Sequence, residues 1–179
     1  MAPANSEEHN VEHMDGTRDF VISRTLDAPH DLVWQTWTQP EHLNRWWGPK
    51  GFKVVACDID LRPGGVLHYG LQSPDGNTMW GKWTFREIKA PELMVVVVSF
   101  SDKDRGVTRH PMAPSWPLET LSRTTFEEKD GKTLMTLRWR PINATPEEIA
   151  MFDASHESMT GGFSGTFEQL TAYLAAIQP

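Results

Sequence analysis

TPEEIAMFDASHESMTGGFSGTFEQLTAYLAAI, residues 145–177, carries apolar side chains at Ile149, Phe152, Met159, Phe163, Phe167, Leu170, Leu174 and Ile177. Steps of three, four and seven put them on one face of an α-helix. Thr145-Pro146-Glu147-Glu148 is a capping box with proline in the first helical position, a helix-start signal. The expectation is one long amphipathic helix over 145–177. Gly161 and Gly162 interrupt it, each at a cost of about 1 kcal/mol relative to alanine, and so ask for a bend or a close backbone approach. His156 stands where the apolar series expects another core residue.

Most of the chain before this helix reads as strand and turn. Residues 19–26 (DFVISRTL) alternate as a first strand. Asp27-Ala28-Pro29 starts a short helix with Val33, Trp34 and Trp37 on its apolar face. Pro40 starts a second, carrying Leu43, Trp46 and Trp47 and closed by Gly48-Pro49. Six strands are expected next, at 53–61, 66–72, 78–89, 93–101, 118–128 and 132–141. In the first of these, Val55, Cys57, Ile59 and Leu61 share a face, and in the last Met135, Leu137 and Trp139 do. Ser73-Pro74-Asp75-Gly76-Asn77, Ala90-Pro91-Glu92 and Asp130-Gly131 supply the hairpin turns. This order specifies an α+β fold, a curved antiparallel sheet wrapped around a long C-terminal helix, with two short helices after the first strand. A single domain is expected over 19–179, behind a polar, aperiodic and disordered tail over 1–18.

Bulk properties narrow the function. The 179 residues suffice for one domain, burying about 70% of the surface of the unfolded chain. A formal charge of −7 argues against a nucleic-acid or anionic-membrane footprint. The single cysteine, Cys57, cannot close an internal disulfide, and the longest strongly apolar run, 93–98, is too short to span a bilayer. A cytoplasmic location is the expectation. There is no Gly-rich phosphate loop, no zinc spacing and no nucleophile elbow. His9 and His13 in the tail lack the further ligands and frame that a metal needs. Neither a metal nor a cofactor is expected.

The order of elements and five segments resemble the helix-grip superfamily of START-related and birch-pollen-allergen-like (SRPBCC) proteins. The segments are APHDLVWQTWTQPEHLNRWWGPKGF (28–52), DIDLRPGG (58–65), SPDGN (73–77), FREIKAPELM (85–94) and GGFSGTFEQLTAYL (161–174). Within the superfamily the chain is similar to the branch named after the activator of the heat-shock-protein-90 ATPase. HPMAPSWP (110–117) resembles an insertion of an uncharacterised bacterial subgroup, and Phe163 replaces the tryptophan common in the branch. The resemblance implies a cavity between the C-terminal helix and the sheet.

The residues expected to line such a cavity are Trp80 or Trp83, Trp139, Phe152, His156, Met159 and Phe163, with His68 a further candidate if its strand face follows Val66. An apolar wall with few polar groups suits a small apolar or aromatic molecule. His156, if desolvated on its apolar stripe, is the acid/base candidate for an alternative reading as a cyclase or hydrolase. Arg123, Arg138 and Arg140 could hold a ligand carboxylate if they point inward. Pro111, Pro114 and Pro117 stiffen a loop presenting His110, Met112 and Trp116, either as a lid or as a dimer contact. A third reading, by analogy with the chaperone activators, is a protein-interaction module acting through that loop.

Overall fold

The computed structural model describes residues 18–179. The tail reading, His9 and His13 included, lies outside the described residues except for Arg18.

The chain runs β1 (Phe20–Leu26), α1 (His30–Thr38), α2 (Pro40–Trp46), β2 (Lys53–Ile59), β3 (Val66–Gln72), β4 (Thr78–Lys89), β5 (Leu93–Ser101), β6 (Val107–Thr108), β7 (Glu119–Lys129), β8 (Lys132–Ile142), α3 (Pro146–Ala154) and α4 (His156–Ile177). The strands form one curved antiparallel sheet in the order β1-β8-β7-β5-β4-β3-β2, with β6 added beside β5. The first strand thus closes against the last, Ile22 opposite Leu137. Asp130 and Gly131 both adopt positive φ, the left-handed pair that a two-residue hairpin needs.

Parity decides which side of each strand is apolar. Leu67 in β3, Trp83 and Phe85 in β4, Phe126 in β7, and Met135 and Leu137 in β8 all join the core. Two bulges break this alternation, between Val54 and Ala56 in β2 and between Phe85 and Glu87 in β4. Each adds a residue on one strand and increases its bend. The first has a local cost to the expected pattern. Val55 turns outward and is 50% exposed, while Cys57 and Ile59 keep their contact with the core. Leu61, beyond the end of β2, is exposed as well.

The expected single helix over 145–177 is two helices. Its start is as expected: the Thr145 N–H donates to Glu148 Oε2 at 3.0 Å, and the Glu148 N–H donates to Thr145 Oγ1 at 3.2 Å. The break falls at Ser155, with φ −95° and ψ −1°. Its N–H donates to the Phe152 carbonyl three residues back, and its hydroxyl donates to the Met151 carbonyl at 2.7 Å. A serine bonding back to i−4 bends a helix, and here α4 restarts at His156. The glycines do not cause the break. Gly161 and Gly162 lie inside α4, and none of the described residues comes within 4 Å of where a Cβ would stand on either.

Phe167, Leu170 and Leu174 of α4 are fully buried, and Phe163 stacks on Phe20 of β1. The loop after α2 fixes the other flank, where Gln169 Nε2 and Thr166 Oγ1 both donate to the Gly48 carbonyl. Trp37 of α1 touches the rings of Trp46, Trp47, Trp83, Phe126 and Phe167 at centroid distances of 5.1 to 6.3 Å. The two short helices therefore close one end of the sheet and brace the long one.

Because a Cβ meets nothing at Gly161, Gly161→Ala should stabilise the protein by up to about 1 kcal/mol. Thr145→Ala should destabilise it by about 1 kcal/mol through loss of the cap. Urea midpoints of the two variants, moving in opposite directions from the parent, are the check.

Candidate functional site

A cavity of about 360 Å³ lies between the sheet, the α3–α4 break and the segment that joins β6 to β7. Its origin is a change of partner along β5. Residues 93–98 of β5 pair with β7, whereas Phe100 and Ser101 pair with β6. Between the two ladders the chain leaves the sheet as the loop 109–118, and Val98, Ser99 and Phe100 at the switch line the cavity. The opposite wall comes from Met151 of α3 together with Ser155, Ser158 and Met159. Tyr69 of β3 lies across Gly81 of β4, and a Cβ on Gly81 would overlap the phenol ring. Glycine is therefore required there, and it lets the tyrosine lie flat along the wall.

The proline-rich loop covers this space. His110, Ala113, Trp116 and Pro117 face the cavity, with the His110 ring 4.5 Å from Phe100 and the Trp116 ring 5.5 Å from Phe152. Two acidic residues in the first turn of α3 hold it down. Arg109 is ion-paired with Glu148, and Ser115 Oγ donates to Glu147 Oε1 at 2.6 Å. The Met112 N–H donates to His110 Nδ1 at 3.0 Å, so the neutral ring carries its proton on Nε2. The Met112 side chain stands away from the cavity, 86% exposed.

Two smaller spaces adjoin the main one. One, of about 200 Å³, lies under α4 and is walled by Trp47, Leu71, Trp139, Met159 and Phe163, with Gly162 at its edge. The other is an internal hole of about 10 Å³ among Trp37, Trp47, Trp83 and Trp139, with Ser122 and Thr124 on its wall. Trp139 borders all three spaces. Among the described residues, the indole Nε1 atoms of Trp37 and Trp139 are buried without a hydrogen-bond partner. A buried donor left unpaired costs about 1–3 kcal/mol.

Among the described residues, no Lys, Arg, Asp or Glu lines any of these three spaces. Burial pushes the Tyr69 phenol up to about 12, an effect that the neighbouring indoles of Trp47 and Trp83 partly offset. The group is a protonated donor at neutral pH. Desolvation holds His110 below the usual imidazole range. In the first turn of α3, the Thr145 N–H and then Arg109 hold the Glu148 carboxyl below the usual carboxylate range. Burial, helped by Asp58 and Glu41, pushes the Cys57 thiol up to about 11, which leaves it protonated and unreactive at neutral pH. Among the described residues no group of three or more His, Cys, Asp and Glu side chains could hold a metal ion. No helix among them is long and apolar enough to cross a membrane.

The expected site residues divide by location. Trp139 and Met159 line the main cavity, as do His110 and Trp116 from the loop, and Phe163 lines the space under α4. Phe152 is fully buried in the core. Trp83 is also a core residue and borders only the internal hole. His68 and Trp80 belong to the other face of the sheet, where their rings stack at 5.0 Å and His68 Nε2 donates to the Asp102 carbonyl at 3.0 Å. Leu67, Tyr69 and Leu71 form the inward series of β3, so its register follows Leu67 rather than Val66. His156 lies outside the cavity wall, edge-on to Phe20 and Phe152, with Nε2 at 3.9 Å from Asp153. Arg138 and Arg140 both reach Asp19, and Arg123 is exposed. Tyr69, Gly81 and Phe100 were not expected in the site. The available signal was Gly81 itself, a glycine inside an otherwise bulky strand, which marks a close approach.

The sequence model of the activator of Hsp90 ATPase homolog 1-like proteins matches residues 27–175. Among solved structures, protein Ms6760 from Mycobacterium smegmatis is 27% identical with a TM-score of 0.73, over 91% of this chain and 94% of that one. Protein NE0264 from Nitrosomonas europaea is 25% identical with a TM-score of 0.70, over 91% and 97% of the two chains. The AHSA1 protein from Silicibacter pomeroyi, 18% identical over 90% and 100% of the two chains with a TM-score of 0.68, shares the fold. No curated protein matches in sequence. With the family match covering β2 to β8, the two short helices, α3 and almost all of α4, the chain belongs to the family of activator of Hsp90 ATPase homolog 1-like proteins.

Proposed function

We propose that the protein binds a small apolar or aromatic molecule between the sheet and the α3–α4 pair, with the loop 109–118 as the lid. The observation that carries this reading is the cavity of about 360 Å³, with Tyr69, Phe100, Trp116, Trp139 and Met159 in its wall and, among the described residues, no charged side chain. Its size and composition are those of a small-molecule pocket. The lid role, rather than a dimer contact, draws support from the inward placement of His110 and Trp116. His156 has no part in the reading, since it is not in the cavity wall.

The test is binding of N-phenyl-1-naphthylamine, an uncharged dye that brightens in apolar surroundings, followed by fluorescence. The parent protein should bind it saturably. Met159→Trp should weaken binding about tenfold or more, because Met159 borders both larger spaces and the added ring occupies them. Equal binding by a folded Met159→Trp protein would place the dye elsewhere and sink the proposal.

The lid also predicts a response to acid. His110 is held neutral in the folded protein, so the unfolded chain takes up its proton first as pH falls. Its contribution to stability is complete above about 6.5 and declines as pH falls from there toward the lowered folded value. Protonating Nδ1 also removes the acceptor that the Met112 N–H uses. Urea midpoints at pH 7.5 and 5.5 should therefore differ more for the parent than for His110→Gln. An equal difference in both proteins would exclude His110 as a source of the acid response.

A further inference from the structure

The sheet ends at β2, which pairs with β3 on one side and, among the described residues, with no strand on the other. An open edge offers its row of backbone donors and acceptors to another strand. No residue of β2 is fully buried, and Val55 stands outward at 50% exposure.

The register with β3 fixes which way each residue of this edge points. Leu67, Tyr69 and Leu71 face inward, so their partners Ile59, Cys57 and Val54 do too. Lys53, Ala56 and Asp58 oppose Gln72, Gly70 and His68 and face outward. Val55 is the extra residue of the bulge and faces outward beside Ala56. The outward series is therefore Lys53, Val55, Ala56 and Asp58, and between its charged ends the inward residues are Val54 and Cys57. Both sets are symmetric about the point between Val55 and Ala56. An unbroken strand lacks this property, because residues five apart, as Lys53 and Asp58 are, then lie on opposite faces. The bulge brings them to the same one.

A reversed copy of β2 laid along this edge sets Lys53 against Asp58, Val54 against Cys57 and Val55 against Ala56, each pair on a common face. Lys53 is exposed and has no ion pair among the described residues, while Asp58 is paired with the exposed Arg105. The strand at the other end of the sheet has no such match. Asp19 lies with the outward Arg138 and Arg140, Arg24 reaches Ser164 of α4, and β1 runs along β8 without a bulge.

We propose that two copies of this chain join through β2, antiparallel about a two-fold axis between Val55 and Ala56, so that one sheet continues into the other. Opposite charges facing each other across two strands attract and like charges repel. A one-residue slip moves every side chain to the wrong face. The charged ends of the edge thus admit the reversed copy and reject shifted or unrelated strands.

A two-fold contact repeats each pair, which separates pairing from folding in a mixing experiment. In analytical ultracentrifugation the parent should show a concentration-dependent monomer–dimer equilibrium. Lys53→Glu sets two acids against each other at both ends of the contact, and Asp58→Lys sets two lysines there. Each should raise the dimer dissociation constant about tenfold. Mixing the two variants restores both opposite-charge pairs, so the mixture should form a heterodimer about as tightly as the parent forms its homodimer. Thermal melts confirm that each variant is folded. A parent that stays monomeric up to its solubility limit would overturn the inference. A dimer that neither folded variant weakens would assign association to another surface and overturn the seat on β2. A mixture that associates no more tightly than the separate variants would overturn the antiparallel register.

Discussion

The contacts of Trp37 hold the molecule together. Its ring touches Trp46 of α2, Trp47 in the following loop, Trp83 of β4, Phe126 of β7 and Phe167 of α4. A curved sheet with one apolar face cannot be covered by one helix alone. Here α1 and α2 cover the end that α4 leaves open, and the indole cluster joins all three helices to the strands. Aromatic rings suit this joint because each buries a large area and prefers edge or offset contacts, which fix orientation as well as proximity. One price of the arrangement is polar, since the indole of Trp37 is buried with its N–H group unmet among the described residues.

That cost lies next to the cavity, and both follow from the way the sheet is interrupted. β5 is continuous, but its neighbour on one side changes from β7 to β6 at Val98–Phe100. Backbone pairing lapses there, and the chain between the two ladders is free to fold over the sheet instead of extending it. Proline at 111, 114 and 117 narrows the conformations of that chain before it docks. The result is an apolar space enclosed on one side by strands, on another by the bent α3–α4 pair, and capped by a stiff loop. The bend at Ser155 contributes directly, since Met151 and Met159 on either side of it both reach the cavity.

Most of the fold was legible because its signals are local. The capping box at Thr145, the turn at Asp130-Gly131 and the alternation through Met135 and Leu137 each needed only a few neighbouring residues to be read. The departures come from non-local or competing effects. Ser155 ends a helix that the apolar spacing would carry through, because its hydroxyl and its backbone N–H both turn back onto the preceding turn. Val55 faces outward because a bulge shifts the parity of β2, and no residue type in that stretch announces a bulge. In β3 and β4 both faces are occupied by large side chains, so aromatic content alone does not identify the cavity side. His68 and Trp80 satisfy each other on one face while Tyr69 and Gly81 shape the other. The site was therefore legible where it depends on helix periodicity, at Met159 and Phe163, and much less so where it depends on strand parity.

Glu148 serves two elements with its two oxygens. One accepts the Thr145 N–H that starts α3, and the other pairs with Arg109 at the base of the loop. The loop and the first turn of α3 are therefore tied through one carboxylate. Under the proposed reading, a bound molecule would leave past a loop anchored on the same carboxylate that caps α3, so its residence time would depend on that ion pair as well as on the apolar wall.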